Sequence, residues 1–474
     1  MALLNTAIIF KLLSGLASLW VANKAIRCIY YEVLKHKNGH VDPPKYPHKD
    51  PIWGLDLFFK IMSAFQSGHY LTTNSTLFKA FPSKTFKSNS FGTTVYRTYD
   101  PEVSKQFQSV HFKDFGIGPL RYHVAENLWG NGIVVSDGQK WADARSFIRS
   151  SFDIVHTANI DRLSWHVDRF MELLPRTGET VDLLPLFKRL ILDTSSEFIF
   201  GESLNALENP DTAFMDSFEY AQRGTGIRAI LGRLKIFHRD KKWLEACKQV
   251  TDFCDKCVDE ALSRNEEGKE RRTEHNRLRL VDEAAKATKD RYTLRSLILS
   301  VFSPAHDGAA VALSNAFFHL ARSPRSVKCA NRLAHRLTAI VNLNQRVCLN
   351  DVVLPCGGGV DGKNPIYFRK GDIIEVDYRT MMRDPTIWGA DAEQYVPERW
   401  EKIRPTWEYT PFGGGPRACP GMRLVYTECA YTIVRILREF QALENRDEEF
   451  EWKEKMRLTM QSKNGTQVGL IPVA

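Results

Sequence analysis

Apolar residues recur at three- and four-residue intervals through most of the chain, and that spacing predicts a mainly helical fold. The clearest amphipathic runs cover 138–172, 184–200, 209–235 and 239–265. Residues 293–321 form the most apolar run, and Pro304 is expected to break it into two helices. Alternation takes over at 90–98 and across 346–378, where the turn GGGVDG predicts a strand pair. The tail after Leu443 reads as short strands. The run 264–292 is so charged that it predicts an exposed loop or surface helix. The fold class is therefore mainly α with small β-sheets.

The chain opens differently. Residues 1–22 hold the apolar stretch 2–22, long enough to cross a bilayer although Lys11 interrupts it. A cleaved leader with an apolar core over 12–22 is the rival reading. Lys24, Arg27, Lys35 and Lys37 follow, which places the remainder in the cytosol by the positive-inside rule. Residues 23–52 form a basic spacer stiffened by Pro43, Pro44, Pro47 and Pro51. From 53 to 474 there is no repeat and no linker, which predicts one catalytic body.

Charge changes this picture little. Sixty-five Lys+Arg against 56 Asp+Glu give +9, scattered and without aromatic-basic interleaving, which argues against nucleic acid. Nine cysteines without a framework spacing argue for a reducing compartment. Cys254 and Cys257 make a lone CxxC on a helical run and read as structural thiols. Asn74 and Asn464 match the glycosylation pattern, but a cytosolic body leaves them unmodified.

The chemistry concentrates in Phe412-Gly413-Gly414-Gly415-Pro416-Arg417-Ala418-Cys419-Pro420-Gly421. Glycines and a proline preform a tight loop, and an apolar-periodic helix follows. Cys419 thus stands just before a helix N-terminus, where the dipole favours thiolate over thiol. A thiolate pushes electron density onto haem iron and favours O–O cleavage. The glycines let backbone approach a flat macrocycle, and Arg417 can face a propionate.

This segment resembles the haem-binding loop of the cytochrome P450 superfamily. Trp141 and Arg145, in WADAR, match the family's WxxxR helix, where both residues reach a propionate. Tyr395 to Trp400 (YVPERW) is similar to the family's PERW segment, with Arg399 in its locking role. YPHKDPIWGLD, GGGVDGKNPI and WGADAEQYVPERW resemble the fungal alkane and fatty-acid hydroxylase branch. The resemblance implies haem b with Cys419 as axial ligand and Phe412, Gly413 and Gly421 shaping its seat. It also implies an endoplasmic-reticulum enzyme, single-pass and facing the cytosol, fed by an NADPH-dependent flavoprotein reductase. Its substrate would be lipophilic: a fatty acid, an alkane or a secondary-metabolite intermediate. Positions near 119–128 and 205–235 would select it.

Two positions depart from the pattern. The distal helix carries Asp307 as the family's acid, but Gly308 stands where threonine is expected, and His306 is the nearest substitute. The Glu-x-x-Arg pair is reduced to Arg336, with Leu333 in place of glutamate. The short interval between Asp307 and Arg336 predicts a lost segment near 322–336. An isomerase or dehydratase on the same scaffold, which needs no threonine, is an alternative function. An inactive, membrane-tethered haem-binding relic is another.

Overall fold

The structure is a computed structural model describing residues 14–473, except 16, 17, 20, 21, 24, 27, 28, 36, 159, 211, 212, 267–278, 324–329 and 458. Much of the N-terminal apolar run lies outside the described residues. Those described between 14 and 35 are helical, and Leu19, Ile26 and Ile29 are two-thirds exposed.

From residue 55 onward, the described helices of eight or more residues are α1 (Leu55–Ser67), α2 (Tyr70–Lys79), α3 (Gly118–Trp129), α4 (Gly138–Ala158), α5 (Ile160–Glu172), α6 (Leu183–Phe200), α7 (Ala213–Leu231), α8 (Lys241–Glu266), α9 (Leu280–Ala287), α10 (Arg291–Arg322), α11 (Ala330–Leu337) and α12 (Met422–Glu439). Strands Thr85–Ser90, Thr93–Thr98, Ile373–Asp377, Leu343–Cys348 and Phe115–Gly116 make, in that spatial order, a five-stranded sheet. Its Thr93–Thr98 and Ile373–Asp377 pair is parallel; the others are antiparallel. Val352–Gly358 pairs antiparallel with Asn364–Phe368 around the glycine turn, as the alternation predicts.

The long apolar run departs from expectation. Pro304 sits inside α10, which continues to Arg322. An interior proline costs about 3 kcal/mol. Two apolar clusters outweigh it. Leu294 to Phe302 pack with Leu128 of α3, Ile148 and Phe152 of α4 and several residues of α8. Ala309 to Ala321 pack with α5, the first half of α6, and α12. Each fully buried Leu or Phe contributes about 1.5–3 kcal/mol, so the helix is clamped on both sides of its proline. This is also the one helix among the described residues that is long and apolar enough to cross a membrane, but 83% of that window is buried inside the protein. It is a core helix.

Three smaller corrections follow from packing. The run 138–172 is two helices, α4 and α5. The strands read at 90–98 are a hairpin that begins earlier, at Thr85, and turns at Phe91-Gly92, both at positive φ. Within the charged run, α9 buries Leu280, Val281, Ala284 and Ala285, so that part is a packed helix. Cys254 is fully buried and Cys257 half-buried, and burial pushes both thiols up, as befits structural cysteines. Asn74 is also buried, with its amide donating to Asp377, which leaves it no room for a glycan.

Candidate active site

The cysteine loop is closed by its own backbone. The N–H of Cys419 donates to the Phe412 carbonyl at 2.9 Å, and that of Ala418 to Gly415 at 3.0 Å. Gly415 has φ 66°, and a Cβ there would lie 2.1 Å from the Gln108 carbonyl oxygen, so only glycine fits. Phe412 meets His335 of α11 edge-on at 5.0 Å and Tyr426 of α12 at 5.2 Å. Phe412 and Gly413 therefore fix the loop's shape and do not line the cavity beneath it. Gly421 caps α12 and does line it.

That cavity, of about 240 Å³, is walled by α3, α4, α6, α10, the strand Leu343–Cys348 and the start of α12. Cys419 is accessible, yet the space it opens onto is this cavity. Burial accordingly raises its thiol pKa, against the Gly421 N–H and the Arg145 charge, which lower it. The helix-terminus argument predicts a favoured thiolate; desolvation wins in the protein alone. Coordination to a metal deprotonates such a thiol outright.

The other end of the cavity is cationic. Trp141, Arg145 and Arg417 line it, as the sequence predicts, and so do Arg121 and Arg346, which sequence reading missed. Arg417 Nη2 donates to Asp137 Oδ1 at 2.5 Å and to the Ser136 carbonyl at 3.0 Å, while its Nε is buried without a partner. Burial, then repulsion from Arg121 and Arg417, lowers Arg346 to about 9. Burial also lowers Arg417 to about 10, with Asp137 opposing and Arg121 and Arg145 adding to the shift. Asp137 is the carboxylate paired with this group among the described residues, and the Ile117 and Gly118 N–H groups already occupy it. Four arginines around one carboxylate, Arg346 buried and the other three half-buried, leave an excess of positive charge that a dianionic ligand would neutralise. A cysteine sulfur facing the cavity, with arginines on its wall, fits haem with its two propionates.

The distal wall is apolar apart from Ser300, whose hydroxyl donates to the Leu297 carbonyl of its own helix. α10 contributes Val301, Pro304 and Ala305, and in the otherwise buried middle of this helix Pro304 is exposed and Ala305 and Gly308 half-exposed on the same stripe. Neither His306 nor Asp307 lines the cavity. His306 stacks on Phe302 and meets Phe218 edge-on, and burial lowers its pKa. Asp307 accepts from the Thr459 hydroxyl and lies 3.6 Å from Lys188 Nζ. Helical geometry explains this: with Pro304, Ala305 and Gly308 on one stripe, residues 306 and 307 point elsewhere.

Arg336 is fully buried and donates to the carbonyls of Met382 (2.9 Å), Ala392 (2.6 Å) and Gln394 (3.0 Å). Arg399 pairs with Asp391 at 2.8 Å. The two arginines thus grip one segment, 382–394, and no carboxylate pairs with Arg336 among the described residues. Glu398 is exposed at the head of a short helix and does not replace the absent glutamate.

The cytochrome P450 family profile matches residues 53–330 and 334–468. The chain is 34% identical over 468 residues to the cytochrome P450 monooxygenase iccC of Talaromyces variabilis, covering 91% of this chain and 92% of that one. It is 32% identical over 478 residues to apdE of Emericella nidulans, another cytochrome P450 monooxygenase, covering 94% and 92%. The crystal structure of a cytochrome P450DA mutant haem domain shares the fold, with a TM-score of 0.74 at 18% identity over 91% of this chain and 98% of that one. The cysteine loop, the arginine rim, the profile and the relatives agree: the chain belongs to the cytochrome P450 family of haem-thiolate monooxygenases.

Proposed function

We propose that this monooxygenase oxidises a lipophilic intermediate of fungal secondary metabolism at the endoplasmic-reticulum membrane, with O2 and electrons from an NADPH-dependent flavoprotein reductase. The observation that carries it is Cys419 facing a cavity whose distal wall is Val301, Pro304 and Ala305, with Ser300 its one hydroxyl. An apolar wall selects an apolar substrate by burial. Bound haem supplies the oxygen chemistry. The protein supplies the ligand sulfur, the cationic rim that orients the macrocycle, and exclusion of water above it.

Membrane attachment is supported by apolar residues left on the surface. Ile52, Trp53 and Phe59 are more than half exposed, as are Ile236 and Phe237, beyond the exposed N-terminal helical residues. The test is direct. Expressed full-length chain should sediment with microsomes, show a red-shifted reduced carbon-monoxide band, and consume NADPH with reductase when a matching lipophilic substrate is added. A folded chain without that band is not a working haem-thiolate enzyme.

A second reading has two observations behind it. The iccC alignment runs over 468 positions yet draws on 91% of the 474-residue chain, so the relative holds residues with no counterpart here. The profile match is interrupted at 331–333, beside Arg336 and its missing carboxylate. A chain lacking that segment would bind haem weakly, as an inactive relic does. Sequencing the transcript across codons 322–336 separates an incorrectly joined reading frame from a real deletion.

A further inference from the structure

The cysteine loop and the cationic wall belong to different elements, and a chain of buried side chains joins them. It starts where the backbone is least ordinary. Residues Gln106–Val110 form a π-helical turn, in which the His111 N–H donates to the Gln106 carbonyl at 2.8 Å. Such turns are rare and recur at functional sites. This one sets Gln108 against the cysteine loop. Its backbone carbonyl is the group that Gly415 accommodates, and its side-chain Oε1 accepts from the Gly414 N–H at 3.4 Å.

Gln108 is buried, and both of its side-chain polar atoms are engaged. Nε2 donates to Ser104 Oγ at 2.6 Å, and Oε1 accepts from the Tyr378 hydroxyl at 2.8 Å. That hydroxyl accepts in turn from Asn344 Nδ2 at 3.2 Å, and Asn344 Oδ1 accepts from Arg346 Nη1. Sheet register brings the middle of the chain together: Asn344 stands opposite Val376, and Tyr378 follows Val376 on the same face. Asn344 and Arg346 line the cavity, whereas Gln108 and Tyr378 lie behind its wall. An apolar pair would fill the space of Gln108 and Tyr378 without desolvating an amide and a phenol. What the polar chain adds is a connection from the loop of Cys419 to a cation on the cavity wall.

We propose that Gln108 and Tyr378 are positioning residues that couple the cysteine loop to Arg346, so that the ligand sulfur and this cation hold one spacing across the haem seat. The proposal rests on the haem-thiolate reading. Groups behind the ligands of a metal site orient them and tune the metal's potential. A cation fixed beside the macrocycle favours the reduced iron, because reduction adds one negative charge. Tyr378→Phe cuts the chain in its middle. Gln108 keeps Ser104 and the Gly414 N–H, while Asn344 loses the hydroxyl that orients it, and Arg346 loses its fixed acceptor.

The test measures haem content and reduction potential in the haem-loaded full-length chain and in its Tyr378→Phe, Arg346→Gln and doubly substituted variants. The parent's reduced carbon-monoxide band is read first; its absence sinks the haem-thiolate reading itself, before any variant is compared. Tyr378→Phe should keep haem and that band and lower the potential. Arg346→Gln should lower it further. Adding Tyr378→Phe to Arg346→Gln should then change it no more, because the chain has no cation left to place. A merely structural tyrosine would lower the melting temperature in both backgrounds and leave the potential alone. An unchanged potential in haem-replete Tyr378→Phe therefore overturns the proposal, and so does an equal fall in the Arg346→Gln background. Gln108→Leu cuts the chain one link earlier and should shift the potential the same way; loss of haem from both Gln108→Leu and Tyr378→Phe would make the chain structural and overturn the proposal as well.

Discussion

The Arg417 guanidinium carbon stands 4.4 Å from the ring centroid of Trp141, while its Nη2 reaches Asp137 at 2.5 Å. The ring and the carboxylate hold the cation at the cavity's rim. Asp137 is also held by the Ile117 and Gly118 N–H groups, so it stays satisfied when Arg417 is removed. Arg417→Ala should therefore leave thermal unfolding nearly unchanged and weaken haem retention. A charge-assisted hydrogen bond is worth about 1.5–3 kcal/mol, or roughly 10- to 100-fold in affinity. Haem content after gel filtration measures it; full retention would remove Arg417 from the haem seat.

Gly308 has open space where a side chain would stand, with nothing within 4 Å of an added Cβ. Gly308→Thr should consequently fold without a clash and gain a few tenths of a kcal/mol, because threonine is a better helix former than glycine. It also places a hydroxyl on the distal stripe beside Ala305. The fraction of NADPH spent on peroxide should fall relative to the parent. A lower melting temperature would show that the space is needed by the bound macrocycle or its substrate.

What the sequence discloses of this site depends on how local each feature is. Cys419 and its glycines are legible because a ten-residue loop carries its own backbone logic: Gly415 must be glycine where Gln108 approaches. Arg121 and Arg346 were missed because a helix and a sheet strand bring them together from distant places in the chain. The one available signal was Arg346 as an unexplained charge in the strand Leu343–Cys348. Pro304 misled for the opposite reason. Local propensity breaks the helix there, and only the two clusters on either side of the proline, invisible to periodicity, keep α10 whole. His306 and Asp307 were placed by analogy along the chain, whereas the stripe facing the cavity is a property of the helix in three dimensions.

Acid should destabilise this fold through its buried histidines. Burial lowers His335 to about 4; burial and then the charges of Arg383, Arg322 and Arg336 lower His319 to about 3. Both are neutral in the folded protein over a range where the unfolded chain, with histidine near 6.5, takes up protons. Their contribution is complete above pH 6.5 and is lost as pH falls toward 4 and 3. Each costs about 1.4 kcal/mol per pH unit across that window. His335 also packs against Phe412, so the cysteine loop should loosen with it. Urea unfolding at pH 7, 6 and 5 should show a falling midpoint, shallower in His335→Phe; equal slopes would exclude this residue as a source.

Arg336 offers the sharpest test of what the chain lacks. Its three hydrogen bonds go to carbonyls, and burial, with repulsion from Arg399 next, lowers its pKa to about 10. A buried cation held by carbonyl dipoles and the Trp388 ring, with its Nε unbonded, bears a desolvation cost that a carboxylate would offset. Leu333 stands one turn earlier on α11, at the i,i+3 spacing from which a glutamate reaches an arginine. Leu333→Glu should therefore raise both melting temperature and haem retention. Arg336→Ala should cost about 3–5 kcal/mol, since it orphans the carbonyls of Met382, Ala392 and Gln394 and empties a buried site. The double variant decides the matter: if the gain from Leu333→Glu persists without Arg336, the glutamate acts elsewhere, and the carbonyl cage alone is what Arg336 requires.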